Sequence, residues 1–190
     1  GIQNKMVDGK IIDWNEVDAL FQGVDIIIAH NASFDRAFID RFSSNSPSKI
    51  WACSISDIDW LERGFTSSKQ ELLCYWHGFY FDAHRAMNDV DALIHLLTFD
   101  TGLERPLLEL IKNSNKSEFV IYAEHFKYDP VKKDILKGNK YRWNPNDKIW
   151  FKKVNLDELE HEKDWLTATI YDQVFKGRVE EIIPSNKYKL

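Results

Sequence analysis

Hydrophobic positions along the 190-residue chain fall into short blocks with two different periods. Residues 26–28 are three consecutive isoleucines, and residues 50–55 form a second compact apolar run around Ile50, Trp51 and Ala52. Runs this short, bounded by polar residues, read as buried strands. Elsewhere the spacing is helical. Trp14, Val17, Leu20 and Phe21 make one stripe. Phe34, Ala37, Phe38, Ile39 and Phe42 make a second, and Ala86, Val90, Leu93, Ile94 and Leu97 a third. Asp13 with Glu16, and Ser68 with Glu71, have capping-box spacing, while Gly23 and Gly78 follow the last periodic residues. A short helix over 57–62 closed by Gly64, an extended piece at 79–81 and a helix ending near residue 111 complete the series. Strands alternating with helices predict a layered α/β domain over residues 1–112.

Residues 113–117, Asn-Ser-Asn-Lys-Ser, are polar without periodicity and read as a linker. Beyond them the pattern restarts. A strand is predicted over 119–123, and a helix from Asp129-Pro130 to Gly138. A hairpin follows, with arms 141–143 and 149–153 about the turn Asn-Pro-Asn-Asp. A helix capped by Asn155 and Glu158 is expected to reach about residue 175, and a last strand covers 179–183. The βαββαβ order predicts a small ferredoxin-like α+β domain over residues 118–190.

Charge separates the two parts. Residues 1–117 carry 11 basic and 17 acidic side chains, and residues 118–190 carry 14 and 13. Within 127–153 nine basic residues face three acidic ones. Such a strip is either a polyanion-facing surface or an ordinary solvated face. No apolar run approaches the ~20 residues of a membrane helix, and the first ten residues have no signal-peptide core. Cys53 and Cys74 are isolated cysteines without metal-ligand spacing, which predicts buried thiols in a reducing, cytoplasmic compartment.

Two polar clusters stand out. His30, Asn31, Ser33 and Asp35 lie where the 26–28 run gives way to helical spacing. In open α/β sheets ligands bind at the carboxyl ends of strands, where such junctions sit. The competing reading is local: Asn31 or Ser33 caps the helix and Asp35 favours its first turn through the dipole. The second cluster is His84 followed five positions later by Asp89, an imidazole and a carboxylate at one helix start.

Together, His-Asn-Ala-Ser-Phe-Asp (30–35) and His-Arg-Ala-Met-Asn-Asp (84–89) resemble the second and third motifs of the DEDDh 3′–5′ exonucleases, the DnaQ-like group that includes the epsilon subunit of bacterial DNA polymerase III. The resemblance spans roughly residues 1–100, and residues 1–7 resemble the segment after that family's third strand. It implies an RNase H-like fold and hydrolysis of terminal phosphodiesters with two Mg²⁺ or Mn²⁺ ions. By motif position Asp89 and Asp35 would be metal ligands and His84 the general base, a role suited to an imidazole. Asn31 and Phe34 would contact the terminal nucleotide. The implied partners are single-stranded DNA 3′ ends, with RNA second, and a polymerase.

The family's first motif, an Asp-x-Glu on the first strand, has no counterpart here. Glu16-Val17-Asp18 has the reverse order within a predicted helix. The expected fold is therefore an RNase H-like layer missing its N-terminal strands, a fragment of the complete enzyme. The bare edge of the 26–28 strand is expected to be covered by those strands or by a second protomer. In the C-terminal part, Lys132, Lys133, Lys137 and Arg142 are candidate phosphate contacts, with Tyr141, Trp143 or Trp150 stacking on bases. The alternative is that these aromatics form the small domain's core. For the whole chain the rival to an exonuclease is a catalytically silent nucleic-acid-binding or polymerase-associated module.

Overall fold

The computed structural model describes residues 3–100, 102, 104–171 and 173–189. Gly1 and Ile2, at the start of the segment compared above with the family's post-strand region, lie outside the described residues. The chain divides into two compact units, Gly1–Ser114 with Tyr188–Leu190, and Asn115–Lys187. Both are mixed α/β, and no helix among the described residues is long and apolar enough to cross a membrane.

In the first unit, short α1 (Asn4–Val7) and α2 (Trp14–Gln22) precede β1 (Ile26–Ala29) and α3 (Ala32–Ile39). Then come β2 (Ile50–Cys53), α4 (Gln70–Trp76), α5 (Ala86–Thr98) and α6 (Pro106–Ser114). β1 and β2 are parallel, with Ile26 opposite Ile50 and Ala29 opposite Cys53. Side chains alternate across a strand, so each strand feeds two cores. Ile26, Ile28 and Ala52 pack with Leu73, Leu93, Leu96 and Leu110 of α4, α5 and α6. Ile27, Ala29, Trp51 and Cys53 pack on the other face with Ala32 and Ile39 of α3. A sheet buried on both faces explains why its strands read as continuous apolar runs rather than alternating ones.

Several local expectations change. Residues 57–62 form turns, not a helix, because the buried Asp57 carboxylate accepts from the Cys53 amide (2.7 Å) and folds the chain back. The predicted cap at Ser68 is not formed. α4 starts two residues later at Gln70, and the Ser67 hydroxyl accepts from the Lys69 amide (3.2 Å) instead. Residues 79–81 pair with no strand. Asn113 and Ser114, read as linker, form the last turn of α6, whose Ser114 is buried. Among the described residues no strand pairs with the outer edge of β1.

The second unit contains β3 (Glu118–Ala123), α7 (Pro130–Gly138), β4 (Arg142–Asn144), β5 (Ile149–Val154), α8 (Leu156–Thr169) and β6 (Arg178–Ile182). Its sheet order is β4-β5-β3-β6 with antiparallel neighbours throughout. This is the βαββαβ element order expected from the sequence. Asp129 caps α7 with Pro130 at its first position, and Asn155 with Glu158 forms a complete capping box on α8. α8 stops at Thr169, short of residue 175. Ile121, Leu136, Leu159, Leu166 and Ile170 form the core. Glu162 is buried there with two partners, the Lys152 ammonium (2.5 Å) and the Asn139 amide (2.8 Å).

Candidate active site

Because β1 and β2 run parallel, both end on the same side, and the two motif helices start beside that side from opposite layers. The ladder continues one step past the strands, with the Ser54 amide donating to the Ala29 carbonyl (3.1 Å). Strand parity then carries His30 and Ser54 onto the face shared by Ile28, Ala52 and α5. The His30 Nδ1 lies 2.8 Å from the Ser54 hydroxyl. His30 is partly buried, and its pKa is lowered by that burial, while the Asp89 carboxylate opposes the shift. This electrostatic contact joins the two motifs: a residue from the end of β1 senses a carboxylate in the first turn of α5.

Asp89 is held from two directions. Its carboxylate accepts from the His84 amide (3.3 Å), and its carbonyl accepts from the Gln70 side chain of α4 (2.5 Å). His84 takes a left-handed backbone, φ 65°, uncommon outside glycine. Its imidazole is 92% exposed and lies 3.6 Å from Glu71, also on α4. His84 therefore contacts Asp89 through its backbone, while its ring reaches into solvent.

Asp35 sits in the first turn of α3, on the other layer. Its carboxyl pKa is raised, chiefly by burial. The helix-dipole reading expects the opposite direction, so desolvation outweighs the dipole here. Asn31 occupies the N-cap position of α3, but with φ 70° and no capping hydrogen bond from its side chain. The predicted capping role for Asn31 is not what the residue does. Its side-chain oxygen accepts from the Ser33 hydroxyl (3.4 Å). Phe34 is 75% exposed at the same rim. The predicted apolar stripe of α3 is largely outward, with Phe38 and Phe42 exposed against Trp14. The buried positions of α3 are Ala32 and Arg36.

Asp13 and Asp18, also acids of this unit, have structural partners. Asp13 caps α2. Asp18 accepts from Ser43, Ser44 and Asn45, and these hydrogen bonds hold its carboxyl at about 2. His77 and His95 lie against Phe65 and Phe79, with ring centroids 4.8 and 4.1 Å apart. Both cysteines are free and buried, and burial lifts the Cys74 thiol to about 11.

Among the described residues no three His, Cys, Asp or Glu side chains gather into a group that could hold a metal ion. Asp35 and Asp89 are donors of the right type for a hard divalent cation, which takes carboxylate oxygens. Their number does not fit. Two carboxylates do not balance the charge of two divalent ions.

Of the candidate polyanion contacts in the second unit, Lys132 donates to the Ile170 carbonyl (2.7 Å) and so helps tie α7 to the end of α8. Lys133 is partly buried, while Lys137 and Arg142 are exposed. Tyr141 and Trp150 are buried in the core, which leaves Trp143 as the exposed member of the aromatic trio. Sequence reasoning did not single out Ser54 or Gln70. Ser54 had one available signal, its place immediately after a parallel strand, whereas Gln70 is brought to Asp89 only by the packing of α4 on α5. Comparison of the chain with family models, with curated proteins and with solved structures found no match.

Proposed function

We propose that the first unit carries half of a 3′–5′ exonuclease site of the DEDDh type, which acts on single-stranded DNA 3′ ends. The observation that carries this reading is the electrostatic contact between His30 and Asp89 across two elements. His30 directly follows β1 and Asp89 lies in the first turn of α5, 59 positions on, and the carboxylate is near enough for its charge to act on the imidazole. Asp35, from the opposite layer, is also desolvated by burial, which raises its pKa.

The missing partner is a strand that adds to the free edge of β1 and brings two further carboxylates. The same polypeptide, a separate fragment or a second protomer can supply it. Divalent ions held by that completed set would stabilise charge on the scissile phosphate. This chain's own share is to present Asp35 and Asp89, to orient Asp89 through Gln70 and the His84 amide, and to offer the exposed His84 imidazole as a base.

The second reading is a catalytically silent module. It is favoured by one observation, the His84 ring turned toward Glu71 in solvent rather than toward the acids. Release of nucleotides from 3′-labelled single-stranded DNA with Mg²⁺ or Mn²⁺ separates the two. The chain should be assayed alone and fused to a segment that supplies an Asp-x-Glu strand. We expect little release by the chain alone. With an Asp-x-Glu strand present, release is expected, reduced at least a hundredfold by Asp89→Asn and by His84→Ala, in line with removal of a metal ligand or a general base. Activity indifferent to both substitutions would end the exonuclease reading.

A further inference from the structure

The second unit has a concavity unrelated to the Asp35–Asp89 cluster. A pocket of about 300 Å³ opens at the end of its sheet, between the segment after β3 and the turn joining β4 to β5. Trp150 and Phe126 line its inner part, and Trp143 and Tyr128 its outer part. Trp143 is 47% exposed and Tyr128 70% exposed. The Trp143 and Trp150 rings, opposite each other across β4 and β5, have centroids 5.4 Å apart. Tyr128 gains little folding energy from so exposed a position, and Trp143 buries only the part of its ring that rests on Trp150. Their convergence on one concavity marks it as a ligand site.

The chemistry of the lining selects the ligand. Ring faces on several sides suit a planar group that stacks. An organic cation is the alternative occupant of an aromatic cage. Charge argues against it. Glu124, on the wall, already faces Arg178 (3.7 Å) and His125 (3.8 Å), and Lys148 is itself part of the lining. Lys127, beside Tyr128 in sequence, is exposed, and the surrounding 127–153 strip carries nine basic and three acidic residues. An uncharged ring joined to an anion fits both features. Asp147, near the rim, adds a carboxylate able to accept from an amino group on the ring edge.

We propose that this pocket holds a nucleobase, stacked on Trp143 and Tyr128, with its phosphate toward Lys148 and Lys127. The base belongs to a single strand or to a free nucleotide, and stacking of this kind tolerates sequence. The assignment rests on the pocket and not on the exonuclease reading of the first unit.

The test is titration of the full chain with fluorescein-labelled decadeoxycytidylate, and with cytidine monophosphate as competitor, in chelator-containing buffer so that hydrolysis plays no part. We expect saturable binding of the oligonucleotide, weakened about tenfold by Trp143→Ala and by Tyr128→Ala and largely retained by Trp143→Phe. Both truncated side chains are exposed, and unchanged thermal midpoints verify that the variants fold. Lys148→Glu should weaken binding and flatten its salt dependence. Competition by the mononucleotide at matching concentrations identifies a free nucleotide as ligand, and its failure to compete identifies a strand. Absence of saturable binding, affinity unchanged in both alanine variants, or displacement by tetramethylammonium but not by cytidine monophosphate would overturn the proposal.

Discussion

His30 illustrates how a residue's chemistry depends on neighbours far away in sequence. Burial lowers its pKa and Asp89 partly restores it. Removing the Asp89 charge should therefore lower the His30 pKa further. A histidine with a depressed folded-state value contributes stability that is present above its unfolded pKa, ~6.5, and lost as pH falls below it. NMR titration of the His30 ring in Asp89→Asn should show the additional downward shift, and the loss of stability, which begins near the unfolded pKa in both proteins, should continue to a lower pH in the variant, through the range between the two folded values. An unchanged His30 titration would mean that the two motifs do not communicate. Asp18 has the opposite relation to its surroundings. It is partly buried, and four hydrogen bonds from Ser43, Ser44 and Asn45 keep it ionised to about pH 2, so its latch between α2 and the loop after α3 is released only as pH falls from about 4 toward that value. Neither shift can be read from the residue types. Asp18 and Asp35 are equally acidic on paper, yet donors from another segment lower the one and desolvation raises the other.

At the scale of elements, α3 shows where periodicity misleads. Its phenylalanines repeat at helical spacing, which predicts a buried stripe, yet the side chain that packs deepest is Arg36. The Arg36 guanidinium meets the Asp40 carboxylate (3.0 Å) and the Pro47 carbonyl (3.2 Å), and lies 5.9 Å from the centre of the Trp51 ring. A charged residue is buried only when such partners are in place, and while Asp40 is its i,i+4 neighbour at the end of α3, Pro47 and Trp51 come from segments that no pattern on α3 foretells. Arg36→Ala leaves the Asp40 carboxylate without its cation and should cost about 3 kcal/mol in urea unfolding. Phe34→Ala, at an exposed position on the same helix, should change stability by less than about 0.5 kcal/mol. Equal costs for the two would contradict this division of the helix. The strands, by contrast, were legible from the start. Ile26–Ala29 and Ile50–Cys53 are apolar on both faces because both faces of the sheet are covered, a demand that leaves little freedom of composition. Glycines and caps marked most helix ends for a similarly local reason. Gly78, with φ 81°, takes a conformation that side-chain-bearing residues rarely adopt.

The whole molecule consists of two units with separate cores, one around Leu96 and Leu110 and one around Leu136 and Leu166. A cavity in one core should be felt mainly within its own unit. Leu136→Ala, at a fully buried position, should cost about 2–5 kcal/mol and accelerate hydrogen exchange of the slow amides in 115–187, with those of α5 unaffected. Uniform acceleration along the chain would show that the units unfold as one.

The amino-acid sequence by itself determined the two α/β units, their element order and the junctions that hold His30, Asp35 and Asp89. These follow from local rules: burial on one or two faces, capping and turn conformation act within a few residues. Only the tertiary structure decided that Trp150 and Tyr141 are core while Trp143 and Tyr128 share a pocket. It also decided that Lys132 is spent on the α8 terminus and that Gln70 grips Asp89. Each of these depends on which segments pack side by side, and desolvation and hydrogen bonding between such segments act on distance in space, which spacing along the chain does not encode.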